Sequence, residues 1–268
     1  MKRVLLTGAA GGVATMIRPM LRDIYPEMVL SDIAPVDDLA ANETFIEARL
    51  SDMAACERIC EGVDGIIHLG GYSVEAEWET IHEANIVGCF NLFEAARRKG
   101  VKRVVFASSN HAVGFYRRTK RISTDQRVRP DGLYGVSKAY GEALGSLYAD
   151  KYGLRVLSIR IGNVGMLPLD ERRLAIWIHP EDLVQLCRIG LEHPDLHCEI
   201  VYGASDNDRA WWDNHIAYGL GYTPAHRSED HVQHALAEQA KMPRNAIGDT
   251  FQGGSFCADG FAGDPQRL

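Results

Sequence analysis

The sequence predicts an α/β fold, namely a Rossmann-type doubly wound parallel sheet with a small, irregular C-terminal lobe. Short apolar runs alternate with longer amphipathic runs through most of the chain, which is the pattern of successive βαβ units. A glycine-rich turn joins the first of these runs to the second. From Leu167 onward Pro, Asp, Trp and Gly become more frequent and the alternation weakens, which indicates the lobe.

Seven runs rich in β-branched and aromatic residues predict buried strands, and six longer runs with apolar residues at helical spacing predict helices. Because crossovers between parallel strands are right-handed, we expect helices on both faces of one sheet. The predicted strands are Arg3–Thr7, Met28–Ser31, Thr44–Ala48, Gly65–Leu69, Arg103–Ser108, Arg155–Ile161 and Glu199–Tyr202. The predicted helices are Val13–Ile24, Met53–Cys60, Trp78–Lys99, Leu133–Tyr152, Glu181–Glu192 and Ala210–Leu220.

The charge balance argues against nucleic-acid and membrane partners. The 268 residues carry a formal net charge of −7, and the two basic clusters, 97–99 and 117–121, are short runs that we interpret as solvated surface. No apolar run approaches the ~20 residues needed to cross a bilayer. The apolar segment before the first glycines is too short for a secretory signal, so we interpret it as the first strand.

The six cysteines are scattered along the chain without metal-ligand spacing. Cys56 and Cys60 are four residues apart on a predicted helix, but no residue nearby supplies the rest of a tetrahedral site. We therefore predict no metal site, and reduced thiols in the core of a cytoplasmic protein. The cysteines are Cys56, Cys60, Cys89, Cys187, Cys198 and Cys257.

Residues 7–14 read TGAAGGVA between the first predicted strand and the first helix. Gly8, Gly11 and Ala14 fit G-x-x-G-x-x-A, a variant of the dinucleotide-binding fingerprint. Small residues here let the backbone turn tightly, and let a pyrophosphate approach the amides of the helix N-terminus. Gly12 and Val13 belong to the same predicted contact. A glycine-rich turn without a ligand is the alternative, because the spacing departs from G-x-G-x-x-G.

Asp32 ends the second predicted strand, 24 residues after Gly8. That spacing is close to the ~20 residues expected for an acid that binds the adenosine ribose hydroxyls of a dinucleotide. Its neighbours Ser31 and Ile33 supply no arginine, so a 2′-phosphate would meet a bare carboxylate. The pattern favours NAD over NADP, with a solvated turn residue as the alternative. We expect further cofactor contacts at the same edge of the sheet from Ile33, Leu50, Ser51, Asp52, Leu69, Gly70 and Gly71.

Tyr134 and Lys138 are four residues apart on the predicted helix Leu133–Tyr152, so they are neighbours on one face. Presenting a tyrosine as phenolate near pH 7 costs about 4 kcal/mol, because a free tyrosine has a pKa of about 10. A cation about 4 Å away returns roughly that amount at an effective dielectric constant of about 20. The pair is therefore suited to act as general base on an alcohol beside a bound dinucleotide. A surface pair without function is the alternative.

The ordered set of motifs resembles the extended, sugar-handling branch of the short-chain dehydrogenase/reductase superfamily. The motifs are TGAAGGVA at 7–14, HLGG at 68–71, SSN at 108–110 and YGVSK at 134–138, together with Asp32, Asp52 and Asn85. The resemblance implies that Ser109, Tyr134 and Lys138 form a catalytic triad. It also implies that Lys138 and Tyr134 contact the nicotinamide ribose side of the cofactor, and that Asn85 belongs to the cofactor-binding set.

Residues 107–114, ASSNHAVG, end a predicted strand in hydroxyl, amide and imidazole groups without a carboxylate. In the same branch, sugar-nucleotide dehydratases carry an Asp–Glu pair directly after the catalytic hydroxyl residue. Here those positions hold Asn110 and His111, and an amide cannot serve as a general acid. Dehydration is therefore disfavoured. Epimerisation of a nucleotide-sugar passes this test, but only 107 residues follow Ile161, which leaves little room for a nucleoside diphosphate.

Longer matches along nearly the whole chain resemble the uronate dehydrogenases. They are HLGGYSVE at 68–75, FASSNHAVGFY at 106–116, RPDGLYGVSK at 129–138, YGASDNDRAWWDN at 202–214 and FQGGSF at 251–256. The resemblance implies oxidation of the C1 hydroxyl of cyclic D-glucuronate or D-galacturonate to the aldarolactone, with reduction of NAD. The uncharged Ser73, Asn110 and His111 suit sugar hydroxyls, beside Ser109 and Tyr134. For His111, a hydrogen-bonded residue at the end of a strand is an equally weighted alternative.

A sugar acid also needs a cation for its carboxylate. Arg172 lies on the loop after Asn163, and its guanidinium can form a bidentate pair that lysine cannot reproduce. The register of the resemblance favours Arg172, and Arg173 is the alternative. Asn163 is assigned to the substrate although a small hydroxyl residue is expected there. Phe256 or Phe251 closes the pocket, unless both belong to the core.

Two further groups are interpreted without a catalytic role. Trp211 and Trp212 open the last predicted helix, where packing or a subunit contact explains them better than catalysis. His231 and His234 are three residues apart on a polar helical run, and we expect them to be exposed rather than metal-binding.

We expect residues 1–165 to form the NAD-binding Rossmann core. Residues 166–268 are expected to form a small substrate-binding lobe interleaved with the last strand and helices of the core. The resemblance also implies a homo-oligomer that associates through Trp78–Lys99 and Leu133–Tyr152. A nucleotide-sugar epimerase with a reduced lobe is the alternative function, and a redox-sensing NAD-binding protein is a third. The preferred epimer and the size of the lactone ring stay open.

Overall fold

The computed structural model describes residues 1–267, and its strands are close to the predicted ones. They are β1 (Arg3–Thr7), β2 (Glu27–Asp32), β3 (Glu43–Glu47), β4 (Gly65–His68), β5 (Arg103–Ser109), β6 (Arg155–Ile161), β7 (Asn163–Val164), β8 (Trp177–Ile178) and β9 (Cys198–Gly203). Each of the seven predicted strands is present, with ends that differ by at most one residue. The short strands β7 and β8 were not predicted.

The helices are α1 (Gly12–Ile24), α2 (Met53–Ile59), α3 (Trp78–Ile81), α4 (Gly88–Lys99), α5 (Leu133–Tyr152), α6 (Arg173–Ile176), α7 (Pro180–Glu192), α8 (His215–Gly219), α9 (Val232–Gln239), α10 (Ala246–Thr250) and α11 (Ser255–Ala258). A π-helix, His82–Val87, connects α3 to α4, so the predicted helix Trp78–Lys99 is continuous but widened in its middle. Short 3₁₀ helices lie at Asn110–Val113, Ser228–His231 and Pro265–Arg267.

Seven strands form one parallel sheet in the order β3-β2-β1-β4-β5-β6-β9, which confirms the predicted Rossmann-type topology. The register brings the carboxyl ends of the strands level with one another. Thr7 at the end of β1 is opposite Ser31 and His68, and Ser109 at the end of β5 is opposite Ile161. The turns that follow these strands therefore lie along a single edge of the sheet.

Apolar side chains cover both faces of the sheet. Along β1, Val4 and Leu6 belong to the cluster that packs under α1 and α7, whereas Leu5 belongs to the cluster under α2, α4 and α5. This alternation follows from the two-residue period of a strand. The sheet is thus buried on both faces, as an all-parallel sheet requires.

The prediction of a helix over Ala210–Leu220 is wrong for its first half. Helix α8 begins only at His215, because Trp212 before it forms an isolated bridge with Ile122. Its indole stacks on Tyr202 at 4.6 Å and donates a hydrogen bond to Gln252 Oε1 at 3.0 Å. Tertiary packing of the tryptophan therefore overrides the helical spacing. The interpretation of Trp212 as a packing residue is confirmed.

Two of the residues interpreted as exposed are packed into the molecule. Arg118 donates to the carbonyl oxygens of Phe251 and Gly248, and burial lowers its pKa. His231 is half-buried and lies edge-on against Trp177 at 5.5 Å. His234 is exposed, as expected.

Residues after β9 form the short helices α8 to α11, and they pack against segments from the first half of the chain. One apolar cluster contains Tyr116 and Ile122 from before residue 165, and Ile176 and Trp212 from after it. The division of the chain at residue 165 stays a prediction.

The six cysteines are free thiols, five of them buried and Cys198 half-buried. Burial raises the pKa of Cys56, Cys89 and Cys187 to about 12, so these groups stay protonated at neutral pH. Across residues 1–267, the structure contains no helix with the length and apolar character needed to cross a membrane.

Replacing Gly141 by alanine should destabilise the protein although alanine favours helices. Gly141 lies on the buried face of α5, where a Cβ would overlap the ring of Phe106. We expect Gly141→Ala to lower the free energy of unfolding by about 1–3 kcal/mol in denaturant titrations.

Gly219→Ala is the matched control, because a Cβ at this exposed helical glycine has open space around it. Its free energy of unfolding should be unchanged or rise by up to about 1 kcal/mol. A Gly141→Ala protein as stable as the wild type would contradict the close contact between α5 and the sheet.

Candidate active site

A cavity of about 380 Å³ opens at the carboxyl edge of the sheet. A larger, more open depression of about 500 Å³ borders on Asp131 but contains none of the predicted catalytic residues. The described residues that line the smaller cavity include three cations, Lys138, Arg172 and Arg173, and no aspartate or glutamate. The cavity is therefore positively charged, which suits an anionic ligand. Its other lining residues with polar side chains are Tyr72, Ser73, Ser108, Ser109, Asn110, His111, Tyr134, Asn163 and Ser255.

The turn after β1 is packed against the turn after β4. Gly8 has φ +69°, and a Cβ on it would lie 2.8 Å from the backbone nitrogen of Gly70. The Thr7 hydroxyl accepts a hydrogen bond from that nitrogen at 3.2 Å and bonds His68 Nδ1 at 2.8 Å. Neither Gly8 nor Gly70 could carry a side chain here, so the two backbones lie close together and a ligand can approach them. Gly11 then precedes α1, which begins at Gly12 without a side-chain cap.

Asp32 lies beside this turn at the end of β2. Its Oδ2 accepts from the backbone nitrogen of Ala10 at 3.0 Å, and its Oδ1 accepts from those of Ile33 at 2.7 Å and Ala34 at 3.1 Å. The carboxylate is half-buried, whereas the Ile33 side chain is 59 % exposed. The structure thus brings Asp32 and the glycine-rich turn together, as predicted.

Leu50, Ser51 and Asp52 follow β3 and approach the same edge. Leu50 packs against Gly70 and Gly88, where a Cβ on either glycine would meet it at 2.9 and 3.0 Å. Asp52 caps α2 by accepting from Ala54 N at 2.9 Å, and Ser51 donates to Glu83. Leu69 and Val13 line the cavity itself.

Asn85 lies in the π-helix and is buried. Its amide accepts from Tyr72 N at 2.7 Å and donates to Tyr72 O and to Ser137 Oγ, each at 2.9 Å. A Cβ on Gly71, which has φ +121°, would lie 2.7 Å from its Oδ1. Asn85 therefore fastens the turn after β4 to α5.

The three predicted catalytic residues come together in the cavity. Ser109 ends β5, and its hydroxyl accepts from the backbone nitrogen of His111 at 3.2 Å. Tyr134 and Lys138 are both largely buried on α5, and Lys138 Nζ lies 5.3 Å from the centre of the Tyr134 ring. Lys138 also donates to the carbonyl oxygen of Ala107 at 2.9 Å. That bond fixes the ammonium between β5 and the phenol.

Two carboxylates that sequence reasoning missed support this arrangement from behind. Glu75 accepts from the backbone nitrogens of Leu133 at 2.8 Å and Tyr134 at 3.0 Å, which satisfies the start of α5. Glu142 forms a buried ion pair with Arg160 at 2.8 Å and accepts from Ser108 at 2.6 Å. Glu75 is the last residue of the HLGGYSVE motif at 68–75, so the sequence contained a signal for it. Its contact with α5 forms only because the loop after β4 folds back onto that helix.

Arg172 lies at the cavity wall without an ion-pair partner within the chain's described residues. Its Nε donates to the Gln252 carbonyl oxygen at 2.7 Å. With its amide oriented to satisfy both atoms, Asn110 accepts from Arg172 at 2.9 Å and donates to Ile161 O at 3.2 Å. Burial, together with the charges of Arg173 and Arg118, lowers the pKa of Arg172 to about 10. The guanidinium is therefore charged at neutral pH and held by neutral groups.

Arg173, the alternative, is already paired. Its guanidinium forms a salt bridge with Asp170, and its backbone nitrogen donates to Asp170 Oδ1 at 2.7 Å. Of the two arginines, Arg172 is therefore the one without an ion-pair partner among the described residues.

His111 and Phe256 also line the cavity. The His111 ring stacks on Phe256 at 3.9 Å and lies edge-on to Tyr134 at 5.8 Å. His111 Nδ1 is bonded to the buried Asp131 Oδ2 at 2.8 Å. Phe251, in contrast, is fully buried against Phe115, so Phe256 is the phenylalanine that lines the cavity.

Ser73 and Asn163 line the cavity from two different segments of the chain. Ser73 is exposed on the loop after β4, and Asn163 is half-buried on β7. Both line the cavity with the triad, but their predicted substrate contacts stay predictions.

Away from the cavity, the described residues include one group that could hold a metal ion: His179, Glu181 and His226, with ligand atoms within 4.8 Å of one another. His179 Nδ1 accepts from the backbone nitrogen of Glu181 at 3.3 Å, and His226 Nε2 is bonded to Glu181 at 2.7 Å. These nitrogens serve the protein's own hydrogen bonds. The prediction of no metal site stays a prediction.

Comparisons with known proteins agree on one family. Residues 4–165 match the NAD dependent epimerase/dehydratase family. The chain is 46 % identical to uronate dehydrogenase of Pseudomonas putida over 259 residues, which cover 96 % of each protein. It is similar to the crystal structure of glucuronic acid dehydrogenase from Chromohalobacter salexigens, with a TM-score of 0.93, 43 % identity and coverage of 100 % of this chain and 99 % of that one. A mutant uronate dehydrogenase from Agrobacterium tumefaciens complexed with NAD gives a TM-score of 0.92 at 41 % identity, with 96 % and 97 % coverage.

Removal of the Glu75 carboxylate should loosen the start of α5. Glu75→Ala leaves the backbone nitrogens of Leu133 and Tyr134 without their acceptor. We expect the free energy of unfolding to fall by about 1 kcal/mol in denaturant titrations. Glu77→Ala is the control, since exposed Glu77 precedes α3 but its side chain makes no cap bond; it should stay within about 0.5 kcal/mol of the wild type. Equal losses in the two variants would contradict the capping role.

Proposed function

Because the chain belongs to the NAD dependent epimerase/dehydratase family, and within it to the uronate dehydrogenases, we propose that it oxidises the C1 hydroxyl of a hexuronic acid to the aldarolactone with NAD. D-glucuronate and D-galacturonate are the proposed substrates. The observation that carries the proposal is the position of Arg172 on the wall of the cavity that holds Ser109, Tyr134 and Lys138; its charged guanidinium has no carboxylate partner among residues 1–267.

The turns at the sheet edge fit NAD. Gly8 and Gly70 leave no space for side chains between the two turns, and the N-terminus of α1 carries no side-chain cap that would compete with a pyrophosphate. We assign the half-buried Asp32 to the adenosine ribose, and its charge disfavours a 2′-phosphate. Ile33, Ser51 and Asp52 are further proposed cofactor contacts. NAD bound at this edge would supply the acceptor for the hydride that leaves C1 of the sugar.

Tyr134 is the proposed general base. Its phenolate oxygen accepts the proton of the C1 hydroxyl, and Ser109 donates a hydrogen bond to the same sugar oxygen. The ammonium of Lys138, held at 5.3 Å from the ring centre by its bond to Ala107 O, stabilises the negative charge that the phenol must carry. Burial of all three side chains strengthens this interaction, because little water is present to screen it.

Arg172 is the proposed partner of the sugar carboxylate. The planar guanidinium can donate two parallel hydrogen bonds, and Asn110 and the Gln252 carbonyl hold it in place from the sides. A bound carboxylate would also supply the negative charge that this buried cation lacks. Ser73, His111 and Asn163 are left for the ring hydroxyls, and Phe256 offers an apolar surface to the ring.

The epimerase alternative has less support. The similarity to uronate dehydrogenases extends over 96 % of the chain, and the cavity of about 380 Å³ is at the small end for a ligand pocket. A redox sensor would have no need for the assembled Ser109, Tyr134 and Lys138. An epimerase predicts bound NAD without accumulation of NADH, so the assay below distinguishes the alternatives.

We also propose a cytoplasmic location and a homo-oligomeric state. Six free thiols are compatible with a reducing compartment. Phe90 on α4, and Val136 and Leu147 on α5, each leave more than a third of the side chain exposed, which supports association through these helices. Sedimentation of the purified protein would measure the oligomeric state.

The wild-type protein should convert NAD to NADH when D-glucuronate or D-galacturonate is added, and Tyr134→Phe should lose this activity. The variant keeps the ring but lacks the atom that accepts the proton. We expect kcat to fall by at least about 100-fold while NAD still binds. The measurements are NADH absorbance and the quenching of protein fluorescence by NAD.

Tyr152→Phe is the matched control, because Tyr152 is exposed at the far end of the same helix. Its activity should equal that of the wild type. Absence of NADH with both hexuronates in the wild type would refute the proposed function, and full activity of Tyr134→Phe would remove Tyr134 from the proton transfer.

Arg172→Lys should weaken uronate binding although the positive charge is kept. A lysine ammonium cannot form the bidentate pair with the carboxylate. We expect KM for D-glucuronate to rise about tenfold or more, with KM for NAD unchanged. Arg173→Lys, whose partner is Asp170, is the control and should change KM for D-glucuronate much less. A larger effect at Arg173 would reverse the assignment.

A further inference from the structure

The carboxylate of Asp131 is buried directly behind the cavity, and nothing in the proposed reaction has used it. Its side chain has no exposed surface, and its Oδ2 bonds His111 Nδ1 at 2.8 Å. The backbone nitrogen of Asp131 also donates to the His111 carbonyl oxygen at 3.3 Å. Asp131 is absent from the cavity lining, whereas His111 is part of it. Any influence of Asp131 on a bound sugar must therefore pass through His111 or through the electrostatic field.

The chain around Asp131 is shaped to admit this carboxylate. A Cβ on Gly114 or on Gly253 would overlap Asp131 Oδ2, so both glycines are needed for its position. Its Oδ1 is buried and has no hydrogen-bond partner among the residues that the structure describes. Burying a carboxylate with one oxygen unsatisfied costs free energy, so stability alone does not explain the group.

The contacts of the His111 ring leave it little freedom. Phe256 stacks on one face at 3.9 Å, Tyr134 lies edge-on at 5.8 Å, and Asp131 occupies Nδ1. A carboxylate without a proton only accepts hydrogen bonds, so a bond to such a group requires the hydrogen on Nδ1. In the neutral ring, Nε2 is then an acceptor.

We propose that Asp131 is a positioning residue for substrate binding: it fixes the His111 tautomer in which Nε2 accepts a hydrogen bond from a ring hydroxyl of the sugar acid. This inference rests on the proposed function, because it concerns the same cavity. It assigns the two ring nitrogens of His111 fixed roles, with Nδ1 as donor and Nε2 as acceptor. A substrate must present a hydroxyl hydrogen at this point, and an analogue that lacks that hydroxyl should lose the interaction.

The tautomer can be observed directly. In protein carrying ¹⁵N-labelled histidine, with NAD present, long-range ¹H–¹⁵N spectra distinguish Nδ1–H from Nε2–H; the His111 signals are identified by their loss in His111→Ala. We expect Nδ1–H in the wild type and a mixture of tautomers in Asp131→Ala. Nε2–H in the wild type, or an unchanged tautomer in Asp131→Ala, would overturn the proposal. This readout does not depend on which substrate the enzyme uses.

A double-mutant cycle tests the consequence for binding. Asp131→Ala and His111→Ala should each raise KM for D-glucuronate about tenfold, with KM for NAD unchanged. The double variant should be no worse than His111→Ala alone, because Asp131 acts through His111. Additive losses, or an equal rise in KM for NAD, would overturn the proposal. If wild-type protein reduces no NAD with either hexuronate, the proposed function fails and the tautomer measurement alone decides the inference.

Two further variants separate positioning from stability. Asp131→Asn is isosteric, so it avoids the cavity that Asp131→Ala leaves, and its amide oxygen can still accept from Nδ1–H. It should raise KM for D-glucuronate less than Asp131→Ala. Asp182→Asn is the matched control, since Asp182 is a buried carboxylate bonded to Ser205 and to backbone nitrogens outside the cavity. A lower melting temperature with unchanged KM is expected there. A KM increase in Asp182→Asn equal to that in Asp131→Asn would assign both effects to lost stability.

Discussion

The close docking of α5 on β5 is the constraint on which both the fold and the chemistry depend. Gly141 lets the helix touch the ring of Phe106, and Gly135 lets its first turn meet the backbone of His111. At this separation Lys138 reaches the carbonyl oxygen of Ala107 on the strand. A helix held further from the sheet would carry Tyr134 and Lys138 away from Ser109, and the proposed proton acceptor would be lost together with the packing.

The distribution of charge around the cavity follows a consistent rule. Cations line the cavity, whereas the acidic groups stand one layer behind it. Glu75 accepts hydrogen bonds from the start of α5, Glu142 pairs with Arg160, and Asp131 is hydrogen-bonded to His111. Each carboxylate is satisfied by the protein's own donors or fixed behind a side chain, so none faces the ligand. An anionic sugar therefore meets a positive surface with polar, uncharged groups between the cations, and the same absence of acids disfavours elimination chemistry.

Arg172 illustrates how the pocket can hold a charge without neutralising it. A salt bridge within the chain, like the one between Arg173 and Asp170, would compete with the ligand for the guanidinium. Here Asn110 and the carbonyl of Gln252 orient the group while leaving its charge available. Burial penalises such a cation, and its lowered pKa of about 10 expresses that penalty. A bound carboxylate relieves it, so binding and local electrostatics favour the same occupant.

The sequence by itself determined the positions of the strands in the sheet. Strands buried on both faces consist of apolar runs, and the turns at their ends contain glycine and polar residues. The sequence also determined which side chains gather at the carboxyl edge, since parallel strands bring their ends together. Only the tertiary structure decided what depends on contacts between distant segments. The stacking of Trp212 on Tyr202 replaced a predicted helical turn. The contacts of Glu75 with α5 and of Asp131 with His111 could be identified only in the folded protein. They join segments distant in sequence, and no local periodicity or residue spacing encodes such a contact.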